Sequence, residues 1–212
     1  MFPDNAATRA RSATRPLPPS ESRKRSAMGP DRLPPLPDSS LTPAQKAAAA
    51  ELATGPRGAV FGPFVPLLRS PDLLSPLQKA GEYLRYKSAL PPRLSEFAIL
   101  IVARRWNQQF EWHIHQPIAE RSGVAAAHVR AVAEGRRPDG MAPDEAVVHD
   151  FLQELQANHG VSDATYGRAV EHFGERGVVD LCGLCGYYST LAMVMNVART
   201  PLPEGVAPPL ET

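Results

Sequence analysis

Arg93-Leu-Ser-Glu-Phe-Ala-Ile-Leu-Ile-Val-Ala-Arg-Arg-Trp-Asn-Gln-Gln-Phe-Glu-Trp-His-Ile-His115 decides the fold class, because its apolar residues recur at helical intervals. Leu94, Phe97, Ala98, Ile101 and Val102 make one buried stripe, which predicts a helix over 93–106 restarted by Pro91-Pro92. A second helix follows at about 109–122 and stops at Gly123. Glu96 falls among Leu94, Phe97, Ile99 and Leu100. A carboxylate so placed either stands on a solvated edge or is paired inside the protein. Glu111 and His115 lie four residues apart and therefore share a helix face. His113 points about 160–200° away from both, because each residue turns the helix by about 100°. A carboxylate beside an imidazole favours the imidazolium and fixes the ring, which suits acid–base chemistry near neutrality. The same spacing is common on solvated helices, so spacing alone leaves both readings open.

Outward from this stretch the same logic gives more helices. Thr42-Pro43 with Gln45 reads as a capping box opening an Ala-rich helix over 43–53, which Gly55, Pro56 and Gly58 break. Residues 59–70 read as a loop with a short turn. Ser70-Pro71-Asp72 opens a helix that runs to about Lys87, and shorter helices fit 125–134, 143–158 and 162–173. The last helix, about 175–198, is apolar on most faces and belongs in a core or between subunits. No strand alternation and no internal repeat is present. The expected fold is all-α.

The 212 residues suit one domain with tails. Hydrophobic residues make up 43% and charged residues 21%, and the formal net charge is +1, so nothing in the composition calls for nucleic acid or a membrane surface as partner. No uninterrupted apolar run approaches the ~20 residues of a membrane span, and no secretory signal is visible, which makes a cytoplasmic location the plain expectation. Residues 1–27 carry Arg9, Arg11, Arg15, Arg23, Lys24 and Arg25 against Asp4 and Glu21, with few apolar side chains. They read as a disordered tail, a targeting segment, or a stretch preceding a true start at Met28. The expected division is a tail over 1–40, a domain over 41–204 and a C-terminal tail over 205–212.

The run from Leu84 to Gly123, with Leu-Pro-Pro-Arg-Leu-Ser-Glu-Phe-Ala-Ile-Leu and Phe-Glu-Trp-His-Ile-His, resembles carboxymuconolactone decarboxylase-type proteins of the alkylhydroperoxidase D-like superfamily. Gly186-Tyr-Tyr-Ser-Thr-Leu-Ala-Met-Val-Met-Asn196 followed by Pro201-Leu-Pro203 is similar to the last helix of the same family. The peroxidatic branch carries Glu-x11-Cys-x2-Cys-x3-His. Counted from Glu96, its two cysteine positions fall on Gln108 and Glu111 and its histidine on His115. The spacing is kept and both thiols are replaced, so thiolate chemistry is excluded at that site.

The resemblance implies an oligomerising helical bundle, trimeric or hexameric, and a cofactor-independent lyase that needs no metal. It further implies that His115 moves the proton, with Glu111 as its orienting partner and Glu96 as a relay. Arg85 and Arg93 are the nearest cations for substrate carboxylates, with solvated-surface roles the alternative for both, and Gln108 and Trp112 complete the expected substrate-binding set. The family's reference reaction removes CO2 from 4-carboxymuconolactone, so the expected partner is a small carboxylate. An antioxidant peroxidase of the peroxiredoxin type and a non-catalytic small-acid-binding oligomer are the alternatives. Cys182-Gly-Leu-Cys185 is a second thiol motif in a different helix; it reads as two small packed side chains, a redox pair, or metal ligands with His113 or His115.

Overall fold

The computed structural model describes residues 29–211, and these form eight α-helices with no strand among them. In chain order they are α1 (Pro43–Thr54), α2 (Phe64–Leu67), α3 (Pro71–Tyr86), α4 (Pro92–Arg105), α5 (Gln109–Arg121), α6 (Ala126–Ala133), α7 (Pro143–Asn158) and α8 (Asp163–Ala198). The expected boundaries hold to within a residue or two wherever a proline or a cap fixes them. Thr42 accepts from the Gln45 amide while the Gln45 side chain accepts from the Thr42 amide, closing the capping box of α1.

α4 is the hub. Ten consecutive residues from Leu94 to Ala103 are buried, which is more than the single stripe its spacing predicts. The reason is its surroundings, since α3, α5, α6, α7 and α8 all pack against it. Each large apolar side chain buried here contributes about 1.5–3 kcal/mol. Glu96 sits within this run and is itself buried, so its charge needs partners from neighbouring helices.

The helices expected over 162–173 and 175–198 join into α8, with a break at Gly174, where φ is 66° and ψ is 173°. Glycine adopts that backbone at little cost, and the break sets the two halves at different angles. α8 contains an 18-residue window of mean hydropathy 1.5, long and apolar enough to cross a bilayer, yet 56% of that window is buried inside the domain. Its apolar character follows from packing on α3, α4 and α7.

Both stretches expected as tails make hydrogen bonds to the helical bundle where they are described. Residues 1–28, including the candidate start at Met28, lie outside the described residues. Beyond them, the Arg32 amide donates to Ala198 O at 2.8 Å, and Arg69 donates to the carbonyls of Leu33 and Pro34 at 3.2 and 2.7 Å. A 3-10 turn over Asp38–Ser40 then leads into α1. At the other end Leu210 is buried, and its backbone exchanges two hydrogen bonds with the Gln109 side chain, at 2.9 and 3.1 Å. Few apolar residues are needed to hold a segment whose backbone finds ready partners, which is why composition read both stretches as loose.

Candidate active site

A pocket of about 450 Å³, open mouth included, lies between α3, α5, α8 and the segment joining α1 to α2. α5 contributes Phe110, Glu111, Ile114 and His115 along one face. α8 contributes Tyr187, Tyr188, Leu191 and Met195, and α3 contributes Arg85. Phe61, Phe64 and Arg57 complete the wall. His113 does not line it, in keeping with its position on the helix wheel.

His115 Nδ1 lies 2.6 Å from Glu96 Oε2, in a short, buried, charge-assisted contact. The other oxygen of Glu96 accepts from Arg85 Nη2 at 3.5 Å. Because Nδ1 is engaged, Nε2 is the ring nitrogen left for chemistry. The ring edge is further set by Tyr188, whose ring meets it at 5.2 Å and 89°. Burial keeps the Tyr188 phenol protonated by pushing its pKa well up. For Arg85, burial opposes the charge, but its acidic neighbours, the Glu96 carboxylate among them, outweigh burial and raise the guanidinium.

Glu111 is where expectation and structure part. It shares a helix face with His115, but the two side chains do not pair. Both carboxyl oxygens of Glu111 are buried with no hydrogen-bond partner among the described residues. Desolvation alone pushes this acid well above the ordinary carboxylate range. The contact with His115 expected of Glu111 is made by Glu96 instead, and Glu111 presents an unpaired, buried carboxyl group to the pocket wall.

Three members of the expected substrate-binding set do not line this pocket. Arg93 is ion-paired to Asp144 at 2.5 Å and to Glu145 at 2.6 Å, tying α4 to α7 away from the pocket. Gln108 caps α5 by accepting from the Glu111 amide at 3.0 Å and donates to Asn196 at 3.1 Å. Trp112 is buried in the core and donates to Gln116 at 3.0 Å. Only Arg85 of that set reaches the pocket. Arg57, Tyr187 and Tyr188 are lining residues that the sequence did not single out. Arg57 sits in a Gly-Pro-Arg-Gly break with no period to read, and only the polar heads of a Tyr-Tyr pair in an otherwise apolar helix gave a signal.

Cys182 is exposed and Cys185 buried on α8, and neither lines the pocket. Burial pushes both thiols above their ordinary values, which disfavours the thiolate. They remain free, unbridged side chains.

No protein-family model and no curated protein matches the chain. A solved structure does: the alkylhydroperoxidase AhpD core of an uncharacterized peroxidase-related protein from Ralstonia eutropha JMP134. It aligns with a TM-score of 0.67 at 17% identity, over 83% of this chain and 94% of that one. The chain thus has the all-α fold of the alkylhydroperoxidase AhpD core.

Proposed function

We propose that this protein is a cofactor-independent acid–base enzyme of the decarboxylase type, acting on a small carboxylated lactone or related acid. The observation that supports it most is the buried Glu96–His115 contact at 2.6 Å beside the unpartnered Glu111 carboxyl, in a pocket with no thiol. Loss of CO2 from such a substrate breaks the carbon–carboxylate bond and leaves the electron pair in the conjugated ring system. A proton must then be delivered to carbon. His115 Nε2, held by Glu96 through Nδ1, is the group assigned to that transfer, and the Glu111 carboxyl, whose burial raises its pKa, is a second proton source on the same face. Arg85 stabilises negative charge that develops on the substrate.

The test is CO2 release from 4-carboxymuconolactone by the full chain. His115→Ala should lower turnover by about 10²–10⁴-fold, and Glu96→Gln should lower kcat with little change in KM. Thermal melts of both variants separate lost chemistry from lost folding, because removing one partner of a buried pair also destabilises the protein. An unchanged rate in folded His115→Ala would sink the assignment. Hydroperoxide turnover abolished by a Cys182/Cys185 double substitution would point instead to a peroxidase.

The chain is further proposed to assemble with copies of itself through α8. Val179, Met193 and Val197 are exposed on that helix, and their separations of 14 and 18 residues return them to one face.

A further inference from the structure

We propose that Arg57 is the residue that binds the substrate's carboxylate and selects anionic over neutral ligands, with Tyr187 holding it in place; this rests on the reading of the pocket as a site for small carboxylates.

The charges in the pocket single it out. Arg85 already has Glu96 at 3.5 Å, and Glu96 is shared with His115. Arg57 has no carboxylate partner among the described residues. Its Nη2 donates to the Tyr187 hydroxyl at 2.9 Å, and its guanidinium lies over the Phe64 ring at 4.6 Å from the centroid. Its Nη1 is buried with no hydrogen-bond partner. A guanidinium presents donors in a planar fork that matches a carboxylate. Here one arm of the fork is used by a neutral phenol and the other is vacant and desolvated. An anion is the ligand that satisfies both the unpaired charge and the orphaned donor.

The backbone of α3 makes room for this arrangement. A Cβ on Gly81 would stand 2.1 Å from Tyr187 Oη and 2.7 Å from Arg57 Nη2, closer than any side chain tolerates. The helix carries a glycine, a poor helix former, at the point where Tyr187 and Arg57 approach it. Phe61, Phe64 and Phe110 supply an apolar wall beside the guanidinium, so the matching ligand is a carboxylate on a flat, ring-sized apolar body.

The experiment is calorimetric titration of the full chain with benzoate and with benzamide, its neutral counterpart. Wild type should prefer benzoate by about tenfold to a hundredfold, the worth of one charged hydrogen bond. Arg57→Gln should abolish that preference, with the larger loss falling on benzoate, and Arg57→Lys should restore part of it. Gly81→Ala should reproduce the loss by displacing the Tyr187–Arg57 pair, with a normal helical spectrum as the control for folding. The proposal is overturned if wild type does not bind benzoate, if benzoate and benzamide bind alike, or if Arg85→Gln rather than Arg57→Gln removes the preference. Benzoate binding through Arg57 without CO2 release from 4-carboxymuconolactone would leave Arg57 in its role and remove the decarboxylase reading. CO2 release unaffected by Arg57→Gln, with the benzoate preference intact, would do the reverse.

Discussion

Glu96 and Glu111 are buried to a similar degree, at 6% and 3% exposure, and they meet opposite fates. Glu96 gains an imidazole and a guanidinium, whereas Glu111 gains nothing and stays protonated well beyond the usual range. For a carboxyl raised in the folded state, the unfolded chain releases its proton first as pH rises. The folded chain then binds more protons than the unfolded one, so stability falls from the ordinary carboxylate pKa up to the raised one. Glu111→Gln carries no such linkage. Its melting temperature should draw ahead of wild type as pH rises above the ordinary carboxylate range, while the two should show no such drift near pH 4. A gap that stays constant across this range would mean that Glu111 titrates normally. Spacing could place Glu111 and His115 on one face, because a helix fixes where Cβ atoms point. It could not choose between Glu111 and Glu96 as the partner, since that depends on how α4 and α5 meet. Arg57 lay beyond reading altogether, its neighbours being brought together only by α8.

At the scale of elements the sequence was far more legible. Prolines at the starts of α1, α3, α4 and α7 and apolar periods between them located the helices. Gly174 marked the break in α8. What patterning could not convey was which short segments outside the helices are held by a few directed bonds. Leu210 is one of them: its side chain is buried, and its backbone clasps Gln109, the first residue of α5. Leu210→Ala should cost about 2 kcal/mol, read as a lower urea midpoint with an unchanged slope. A midpoint equal to wild type would show that the clasp adds no stability. Because Glu111 and His115 follow two and six residues later on the same helix, a measurable loss would also connect the end of the described chain to the pocket.

For the molecule as a whole, the exposed apolar face of α8 carries the expectation of self-association. Replacing Val179 and Val197 together by glutamate should convert the assembly to monomer in sedimentation velocity, with the helical spectrum retained. A monomeric wild type would remove the proposal. The pocket also joins parts of the chain that meet over very different distances in sequence. Only 19 residues separate Glu96 from His115, but 130 separate Arg57 from Tyr187. Closing the longer loop costs roughly 2 kcal/mol more in chain entropy, which predicts that the shorter-range contact forms first during folding. The α4–α5 hairpin can bring the proton-handling pair together as a local event. The proposed anion grip would wait until α8 has docked on the opposite wall, and it would be the first of the two to be lost when α8 loosens. On that proposal a bound carboxylate would act as a clamp on late-folding structure, whereas the Glu96–His115 contact would outlive partial opening.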